Sequence, residues 1–420
     1  MTNFSSENQV NSITSVELTL KRGTEAANCH DWSAVNKYLQ QLPVSKNKTE
    51  LSLPNQTDWQ TASKLALQVL LEGDFQQQWE VAKLLPLFGK SITLPLISLL
   101  EDESVDLEAR WFICNILGKF SEQKVILSLV KLIQQTEIEE LAIAAGKTLT
   151  QIGIAAIDAL VKLLQSPHRA LAVKSLAYIR RPEIINPLIT VVEDPQPEIR
   201  AMAIEALGSF HDRRISYLLL AALKDTSSLV RKEAANALGF RPDLCEELDL
   251  IAHLQPLLYD FNLEVCSRAA IALGRMKSDS AVQALFTPLK SVNTPVSLKL
   301  DLVRALAWSE TELAIDCLRE SLINSEISAN VELELVSLEI INVLGRITKS
   351  NLTGKSARTL IDFWQLKGRQ SSSPELKQLL ANSLGELKHS EAAPILNELT
   401  QNNNKLIRLH AIAALKKISK

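Results

Sequence analysis

The chain has 420 residues, of which 46% are hydrophobic and 5% aromatic, and its formal net charge is −3 at pH 7. This composition allows a large aliphatic core, which favours helices over β-sandwiches. The near-neutral charge argues against a nucleic-acid binder, because such a protein needs a basic surface to neutralise phosphates.

The first 60 residues are predicted to form a helical extension and a polar linker. Residues 24–43 have the pattern of one helix, and residues 44–58 are polar, contain Pro54 and are predicted to form a loop. The N-terminus lacks the basic start and apolar core of a secretory signal. No apolar run reaches the roughly 20 residues that a membrane span needs. We therefore expect a cytoplasmic protein with no membrane span.

A pattern of the form [VIL]-R-x-x-A-x-x-A-L-G recurs along the rest of the chain. It is clearest in EIRAMAIEALGSF at 198–210 and LVRKEAANALGF at 229–240, and a second apolar helical pattern lies between the copies. The glycines that end neighbouring copies lie about 30 to 40 residues apart. Units of two helices with this period are typical of HEAT or armadillo-type solenoids. We therefore predict an all-α fold, an α-α superhelix of antiparallel helix pairs, as one continuous solenoid over residues 61–420.

Positions within the repeat have predicted structural roles. Leu238 is expected to be a core residue, and Gly239 is placed to end its helix in a left-handed cap. Two pairs of charged residues share a six-residue offset and are predicted to form a structural ladder between helix turns. These pairs are Asp194 with Arg200, and Asp225 with Arg231.

The last helix, within residues 405–420, is rich in Lys and Arg and contains no acidic residue. A charged terminal helix can cap the exposed core of a solenoid. The alternative is that this helix is a basic docking patch.

Motifs for common catalytic sites are absent from the sequence. None of the six histidines is followed by Glu, and no phosphate-binding loop or GxSxG motif occurs. The five cysteines form no CxxC pair, so they are expected to be reduced, mostly buried thiols. We predict no metal site, and no catalytic residue can be assigned.

Two Arg and Trp pairs are candidate ligand contacts. Arg110 precedes Trp111, and Arg304 lies one helical turn before Trp308. Arg pairs with carboxylates, and both Arg and Trp stack on planar groups. Each pair could therefore grip a planar anion or a protein partner. The alternative is that each Trp fills a gap between repeats and each Arg belongs to the ladder.

The repeats, above all DLEARWFICNILGKF at 106–120 and EIRAMAIEALGSF at 198–210, resemble those of the E/F-type phycobilin lyases of cyanobacteria. The resemblance covers residues 75–420, and the chain departs from the family in its length and its N-terminal extension. It implies a role in phycobilisome chromophore attachment or turnover, with lyase activity if the likeness extends to activity. In that family the nucleophile is a cysteine of the client protein.

The resemblance also implies a ligand and a set of contacts. The substrate would be a linear tetrapyrrole (a bilin), with no cofactor bound covalently. Arg110, Trp111, Arg304 and Trp308 would hold its propionates and rings, and Asp106 or Glu108 its pyrrole nitrogens. The partner would be a phycobiliprotein or a second HEAT-repeat subunit. The alternative is a non-catalytic interaction scaffold or assembly adaptor with no chromophore.

Overall fold

The computed structural model describes residues 4–45, 47, 50–324, 331–371 and 373–419, and most of these lie in helices. Within these ranges, one isolated β-bridge joins Val44 and Leu51. The predicted all-α class, an α-α superhelix, is confirmed. The α-helices are α1 (Phe4–Asn28), α2 (Trp32–Gln40), α3 (Gln56–Glu72), α4 (Phe75–Leu84), α5 (Thr93–Glu101), α6 (Leu107–Leu117), α7 (Gln123–Gln135), α8 (Glu139–Ile152), α9 (Ile157–Leu163), α10 (Arg169–Ile179), α11 (Ile185–Ile189), α12 (Pro197–Leu207), α13 (Arg213–Ala222), α14 (Ser228–Leu238), α15 (Leu250–Leu254), α16 (Leu263–Arg275), α17 (Asp279–Lys290), α18 (Val296–Ser309), α19 (Glu312–Asn324), α20 (Val331–Gly345), α21 (Ser350–Leu366), α22 (Pro374–Leu387), α23 (Ala393–Leu399) and α24 (Lys405–Ile418). Short 3-10 helices occupy Leu85–Ile92, Gly153–Ala156, Pro182–Ile184, Pro242–Leu244, Gln255–Tyr259, Gly368–Gln370 and Ser390–Ala392.

The helices form two compact units, residues Met1–Asp194 and Pro195–Lys420. Within each unit an odd-numbered helix packs on the even-numbered helix that follows it, as α5 does on α6 and α17 on α18. Successive even-numbered helices also pack on each other, as α4 does on α6 and α14 on α16. Each unit is therefore a stack of helix pairs, because one pair alone cannot bury its apolar face.

The first two helices are part of this stacking. α1 and α2 both pack on α3, and α2 also packs on α4. The boundary expected after residue 60 falls within α3. The division into an extension and a continuous solenoid stays a prediction.

The glycines at the ends of the even-numbered helices allow close helix contact. Gly239 follows α14 with a right-handed backbone (φ −62°, ψ −16°), so the predicted left-handed cap is wrong. A Cβ at Gly239 would lie 3.0 Å from the Cα and Cβ of Ala272 on α16, and one at Gly208 would lie 2.5 Å from the Cβ of Ala237. The glycine is therefore needed for space. Leu238, beside it, is fully buried as predicted.

Residues Phe75–Glu101 are long and apolar enough, by length and composition alone, to cross a membrane. In the structure this segment is broken into α4, a 3-10 helix and α5. Gly89 has a non-helical backbone (φ 68°, ψ −162°) in the middle of it. Leu85, Ile92 and Leu96 are fully buried among the packed helices. These three residues belong to the core of the first unit, and 33% of the apolar window is buried in all.

The terminal helix α24 is basic, but its exposed face is also apolar. Leu406, Leu409 and Ile412 are 54%, 51% and 43% exposed. The terminal helix therefore exposes apolar side chains in addition to the basic ones expected of a charged cap.

Candidate ligand-binding cleft

A cleft of about 760 Å³ lies in the second unit where the even-numbered helices α14, α16, α18 and α20 end. Its lining includes the aromatic side chains of Phe240 and Trp308, which are 58% and 49% exposed. It also includes two glutamates, Glu310 and Glu339, and five cationic residues. The cationic residues are Arg275, Lys277, Arg304, Arg346 and Lys349. The cleft therefore combines exposed aromatic rings with an excess of positive charge.

Helix ends account for part of this charge. The last carbonyl groups of a helix lack partners within it, and the helix dipole makes this end favourable for cations. Arg275 is the last residue of α16, and Arg346 directly follows α20. Lys349 Nζ donates to the Glu310 backbone oxygen just after α18, at 3.1 Å. Because α16 and α20 both end here, the cations at their ends gather on one surface.

Two ion pairs neutralise part of the charge. Lys277 Nζ lies 2.7 Å from Glu310 Oε2, and this hydrogen bond lowers the pKa of the Glu310 carboxyl. Arg304 Nε lies 2.6 Å from Glu339 Oε1, and this hydrogen bond raises the pKa of the Arg304 guanidinium. These pairs fix the two glutamates, and among the described residues no carboxylate pairs with Arg275, Arg346 or Lys349.

The two remaining arginines are the open donors of the cleft. The Arg275 guanidinium lies 4.1 Å from the centre of the Phe240 ring. Its Nη1 is buried and has no hydrogen-bond partner among the described residues. Arg346 is exposed, and no ion pair to its guanidinium is found in the part of the chain that the structure describes. An unmade hydrogen bond of a buried donor costs about 1–3 kcal/mol, so the protein itself does not fully satisfy the Arg275 guanidinium beside the cleft.

Of the residues singled out from the sequence, Arg304 and Trp308 line this cleft. They lie one turn apart on α18, as their spacing predicted. Phe240, Arg275 and Arg346 were not found by sequence reasoning. A signal for the arginines exists, because Gly-Arg recurs at helix ends in GRMK (274–277) and GRITK (345–349).

The other predicted ligand contacts lie in the first unit, on α6 and at its start. Arg110 is only 7% exposed, and its Nε donates to the backbone oxygen of Leu100 at 3.1 Å. Trp111 is 43% exposed. Consecutive helical residues point about 100° apart, and here one side chain faces the core and the other the surface. The two side chains therefore do not share a surface, which does not support their joint grip on one ligand, and ligand contact by either residue stays a prediction.

Asp106 has a capping contact in the structure. It is the N-cap of α6, and its Oδ2 accepts a hydrogen bond from the Glu108 backbone N–H at 2.9 Å. Such a cap satisfies an amide that the helix cannot satisfy itself. This contact gives Asp106 a structural explanation that does not involve a ligand.

The charged residues assigned to a ladder connect neighbouring repeats. Arg200 Nη2 lies 2.7 Å from Asp225 Oδ1, and Arg231 Nε lies 2.7 Å from Asp260 Oδ2. In the first unit, Arg169 Nε lies 2.8 Å from Asp194 Oδ2. Each arginine thus binds the aspartate of the following repeat. The sequence search missed Arg169 and Asp260. The signal for Asp260 is its place three residues before an even-numbered helix, which Asp194 and Asp225 share.

Four of the five cysteines are poorly suited to act as nucleophiles. Burial raises the pKa of the Cys114 thiol to about 12 and that of Cys317 to about 11. Burial also raises the pKa of Cys266 and Cys245. Because the thiolate is the reactive form, these four thiols are largely unreactive at neutral pH. Within the described ranges, no group of three or more His, Cys, Asp or Glu residues is arranged to hold a metal ion.

Comparison with known proteins supports the repeat class. A family model for HEAT repeats matches residues 157–239, 193–258 and 364–420. No curated protein sequence matches the chain.

The fold is similar to that of importin beta. Two of its crystal structures, from a polyethylene glycol and an ammonium sulfate condition, are each 14% identical to this chain, with TM-scores of 0.54 and 0.50. They cover 96% and 92% of this chain, which spans 65% and 57% of theirs. Human deoxyhypusine hydroxylase in complex with glycerol is 18% identical, with a TM-score of 0.27, over 78% of this chain and 96% of its own. The likeness to importin beta concerns the fold alone, and the segments that the family model matches carry HEAT repeats.

Proposed function

We propose that this chain is a non-catalytic HEAT-repeat scaffold that binds a carboxylate-bearing segment of a protein partner in the second-unit cleft. The observation that carries the proposal is the set of five cationic residues and two carboxylates around the exposed rings of Phe240 and Trp308. Arginine binds carboxylates through paired hydrogen bonds and stacks on aromatic groups. Arg275 and Arg346 are the contacts that remain open for such a segment.

Binding of an acidic, aromatic peptide tests this proposal. The probe is a fluorescein-labelled peptide of alternating Glu and Tyr, titrated with the full chain and followed by anisotropy. We expect saturable binding that is weakened at least about tenfold, or about 1.4 kcal/mol, in the double variant Trp308→Ala, Arg346→Gln. The control is Arg268→Gln, which removes the same charge from an exposed position on α16 outside the cleft lining. Equal weakening by both variants would mean that binding is non-specific electrostatic attraction, and would contradict the proposal.

A bilin is the second candidate occupant, favoured by the exposed rings beside two open arginines. Its two propionates match Arg275 and Arg346, its planar rings match Trp308, and a pyrrole nitrogen can donate to Glu310. The cleft volume of about 760 Å³ lies within the range of small-molecule sites. If a bilin is the occupant, the chain would handle the chromophore as a lyase does and would have a role in the phycobilisome. Its partner would be a phycobiliprotein or a second HEAT-repeat subunit, and its location would be cytoplasmic.

Phycocyanobilin titration tests the second candidate. Absorbance and zinc-dependent fluorescence of the mixture are measured for the parent chain, for Trp308→Ala, Arg346→Gln and for the Arg268→Gln control. A red-shifted, saturable complex that only the cleft variant loses would support bilin binding in the cleft. No complex with the parent chain, together with retained binding of the acidic peptide, would leave the scaffold as the function.

A further inference from the structure

The first unit has an exposed apolar surface that the cleft does not involve. Phe75 and Trp79 of α4 are 57% and 45% exposed, and Leu107 and Trp111 of α6 are each 43% exposed. We call these four residues the aromatic platform. Contiguous exposed apolar surfaces of this kind mark interaction sites more often than single exposed residues do.

The platform is continuous across the two helices. Phe75 and Trp79 lie one turn apart on α4, as do Leu107 and Trp111 on α6, and the two helices pack on each other. Phe112, which is 2% exposed, lies beneath and joins them. Its ring centre is 5.5 Å from that of Phe75 and 5.2 Å from that of Trp111. The rings of Phe75, Phe112 and Trp111 therefore form one connected cluster, with Phe112 as its buried base.

The repeat spacing explains why the residues align. α4, α6 and α8 begin at Phe75, Leu107 and Glu139, so corresponding positions of the three helices recur every 32 residues. Trp79 and Trp111 hold the same position of neighbouring repeats. At α8 the surface changes, because its first turn carries the exposed acids Glu139 and Glu140.

The chain around the platform is strongly acidic. Residues 72–108 contain eight Asp or Glu and only two Lys. Capping explains Asp74 and Asp106, which accept backbone hydrogen bonds at the starts of α4 and α6. Capping does not explain Glu72, which is exposed at the last position of α3, where the helix dipole disfavours an acid. Exposed Glu103 and Glu108 lie within four residues of Leu107. Three exposed carboxylates without a capping role therefore lie within four residues of a platform residue along the chain.

The platform also accommodates a cation over an aromatic ring. The ammonium group of Lys83 lies over the indole of Trp79. An indole face attracts Lys and Arg through its quadrupole. Trp111, in the equivalent position of the next repeat, is 43% exposed, and among the described residues no cation lies over its ring.

We propose that the aromatic platform docks a basic amphipathic helix of a partner protein. The apolar face of that helix, with side chains at i, i+3, i+4 and i+7, would lie on the four platform residues. Its Lys and Arg residues would face Glu72, Glu103 and Glu108 and cover the indole of Trp111. Charge complementarity selects this occupant, since an acidic helix would bring like charges together at the border.

The probe is a fluorescein-labelled Leu and Lys peptide of about five helical turns, patterned so that all Leu lie on one face. Two peptides serve for comparison: one with the same composition in scrambled order, and one with Glu in place of Lys. Anisotropy titrations use the full chain. We expect saturable binding of the patterned Leu–Lys peptide, with at least about tenfold weaker binding of each comparison peptide.

Variants place the binding on the platform. Two double variants are used. The first combines Trp79→Ser with Trp111→Ser, and the second combines Glu103→Lys with Glu108→Lys. Both change only exposed or half-exposed side chains, and circular dichroism checks that each remains folded. Each should weaken binding at least about tenfold. The control Tyr217→Ser, which removes an exposed aromatic ring from the second unit outside the cleft lining, should leave binding unchanged.

Three outcomes would overturn the proposal. The first is equal binding of the patterned and scrambled peptides, which would mean charge attraction alone. The second is parent-like binding by both platform variants. The third is self-association of the parent chain in sedimentation velocity that Trp79→Ser, Trp111→Ser abolishes, because the occupant would then be a second copy of this chain. Loss of peptide binding here leaves the cleft titrations unaffected, so the two proposals fail separately.

Discussion

Arg231 and Asp260 join two neighbouring repeats of the second unit through a two-point contact. Arg231 Nε and Nη2 lie 2.7 and 2.8 Å from Asp260 Oδ2 and Oδ1. Arg231 Nη1 also donates to the backbone oxygen of Asp225 at 2.8 Å. One guanidinium therefore connects the loop before its own helix with the loop before the next. This geometry explains why an arginine recurs near the start of even-numbered helices.

Replacing Asp260 should destabilise the second unit. In Asp260→Asn the half-buried Arg231 guanidinium loses its charged partner, and we expect a loss of about 1–3 kcal/mol in the free energy of unfolding. Urea unfolding followed by circular dichroism measures it. The matched control is Glu320→Gln, since Lys290 and Glu320 form a 3.8 Å pair in which both side chains are about half exposed. The control should change stability by about 0.5 kcal/mol or less. Equal effects of the two variants would show that the Arg231–Asp260 pair contributes no more to stability than an exposed ion pair.

The same contact should make stability depend on pH. The hydrogen bond from Arg231 lowers the pKa of Asp260 below its usual value. A carboxyl with a lowered folded-state pKa stabilises the fold above the unfolded-state pKa, about 3.9, and this contribution is lost as the pH falls through the folded-state value. The difference in unfolding free energy between parent and Asp260→Asn should therefore be largest at neutral pH and shrink below about pH 4. Urea titrations at several pH values measure this difference. A difference that stays constant with pH would show that the charge of Asp260 beside Arg231 does not contribute to stability.

Glycine at the helix ends should be required for space. Gly208 has a right-handed backbone (φ −58°, ψ −18°), so alanine is conformationally allowed there. We nevertheless expect Gly208→Ala to destabilise the chain by about 1–3 kcal/mol, because its Cβ would lie 2.5 Å from that of Ala237. In the control Gly354→Ala, within α21, the nearest atom would be 3.6 Å away, and helix propensity should give about 0.5–1 kcal/mol of stabilisation.

A double-mutant cycle separates the close contact from helix propensity. Adding Ala237→Gly to Gly208→Ala removes the contacting methyl group, so the two changes should be non-additive by about 1 kcal/mol or more in the favourable direction. Thermal and urea unfolding of the four proteins supply the cycle. Additive effects would show that the neighbouring helix shifts freely and that the contact is not limiting.

The repeat pattern predicts most of the fold because it records packing that is local in the chain. The pairing of helices and the burial of Leu238 follow from apolar spacing within one repeat. The backbone conformation of Gly239 does not follow from this spacing, because glycine is suited both to a left-handed cap and to a close helix contact. Only the position of Ala272 on the next helix distinguishes the two uses.

The cleft was only partly predictable for the same reason. Arg304 and Trp308 share one helix, and their spacing places them together. Phe240, Arg275 and Arg346 come from the ends of three other helices. The sequence of each of these segments does not indicate that the three helix ends meet. Local spacing therefore fixes which residues share a helix face, whereas stacking fixes which faces share a site.

Exposure should decide which cysteine reacts. Cys29 is exposed, whereas Cys114, Cys266 and Cys317 are buried. Burial raises the pKa of Cys114 to about 12, so both access and thiolate content disfavour its reaction. We expect Cys29 to be alkylated first by iodoacetamide in the folded chain, and Cys29→Ser to lose the fastest phase. Peptide mass mapping after short exposures checks the order, and early labelling of Cys114 would show that α6 is not packed as described.

Arg110 and Trp111 should differ in what they contribute. Arg110→Ala removes the side chain that donates to the Leu100 carbonyl from a buried position, so we expect a loss of about 1–3 kcal/mol in unfolding free energy. Trp111→Ser alters a side chain that is 43% exposed and should cost about 1 kcal/mol or less. Urea unfolding measures both, and titration with the Leu and Lys peptide should show weakened binding for Trp111→Ser and parent-like binding for folded Arg110→Ala. The reverse assignment, with stability dependent on Trp111 and binding on Arg110, would restore Arg110 as a ligand contact.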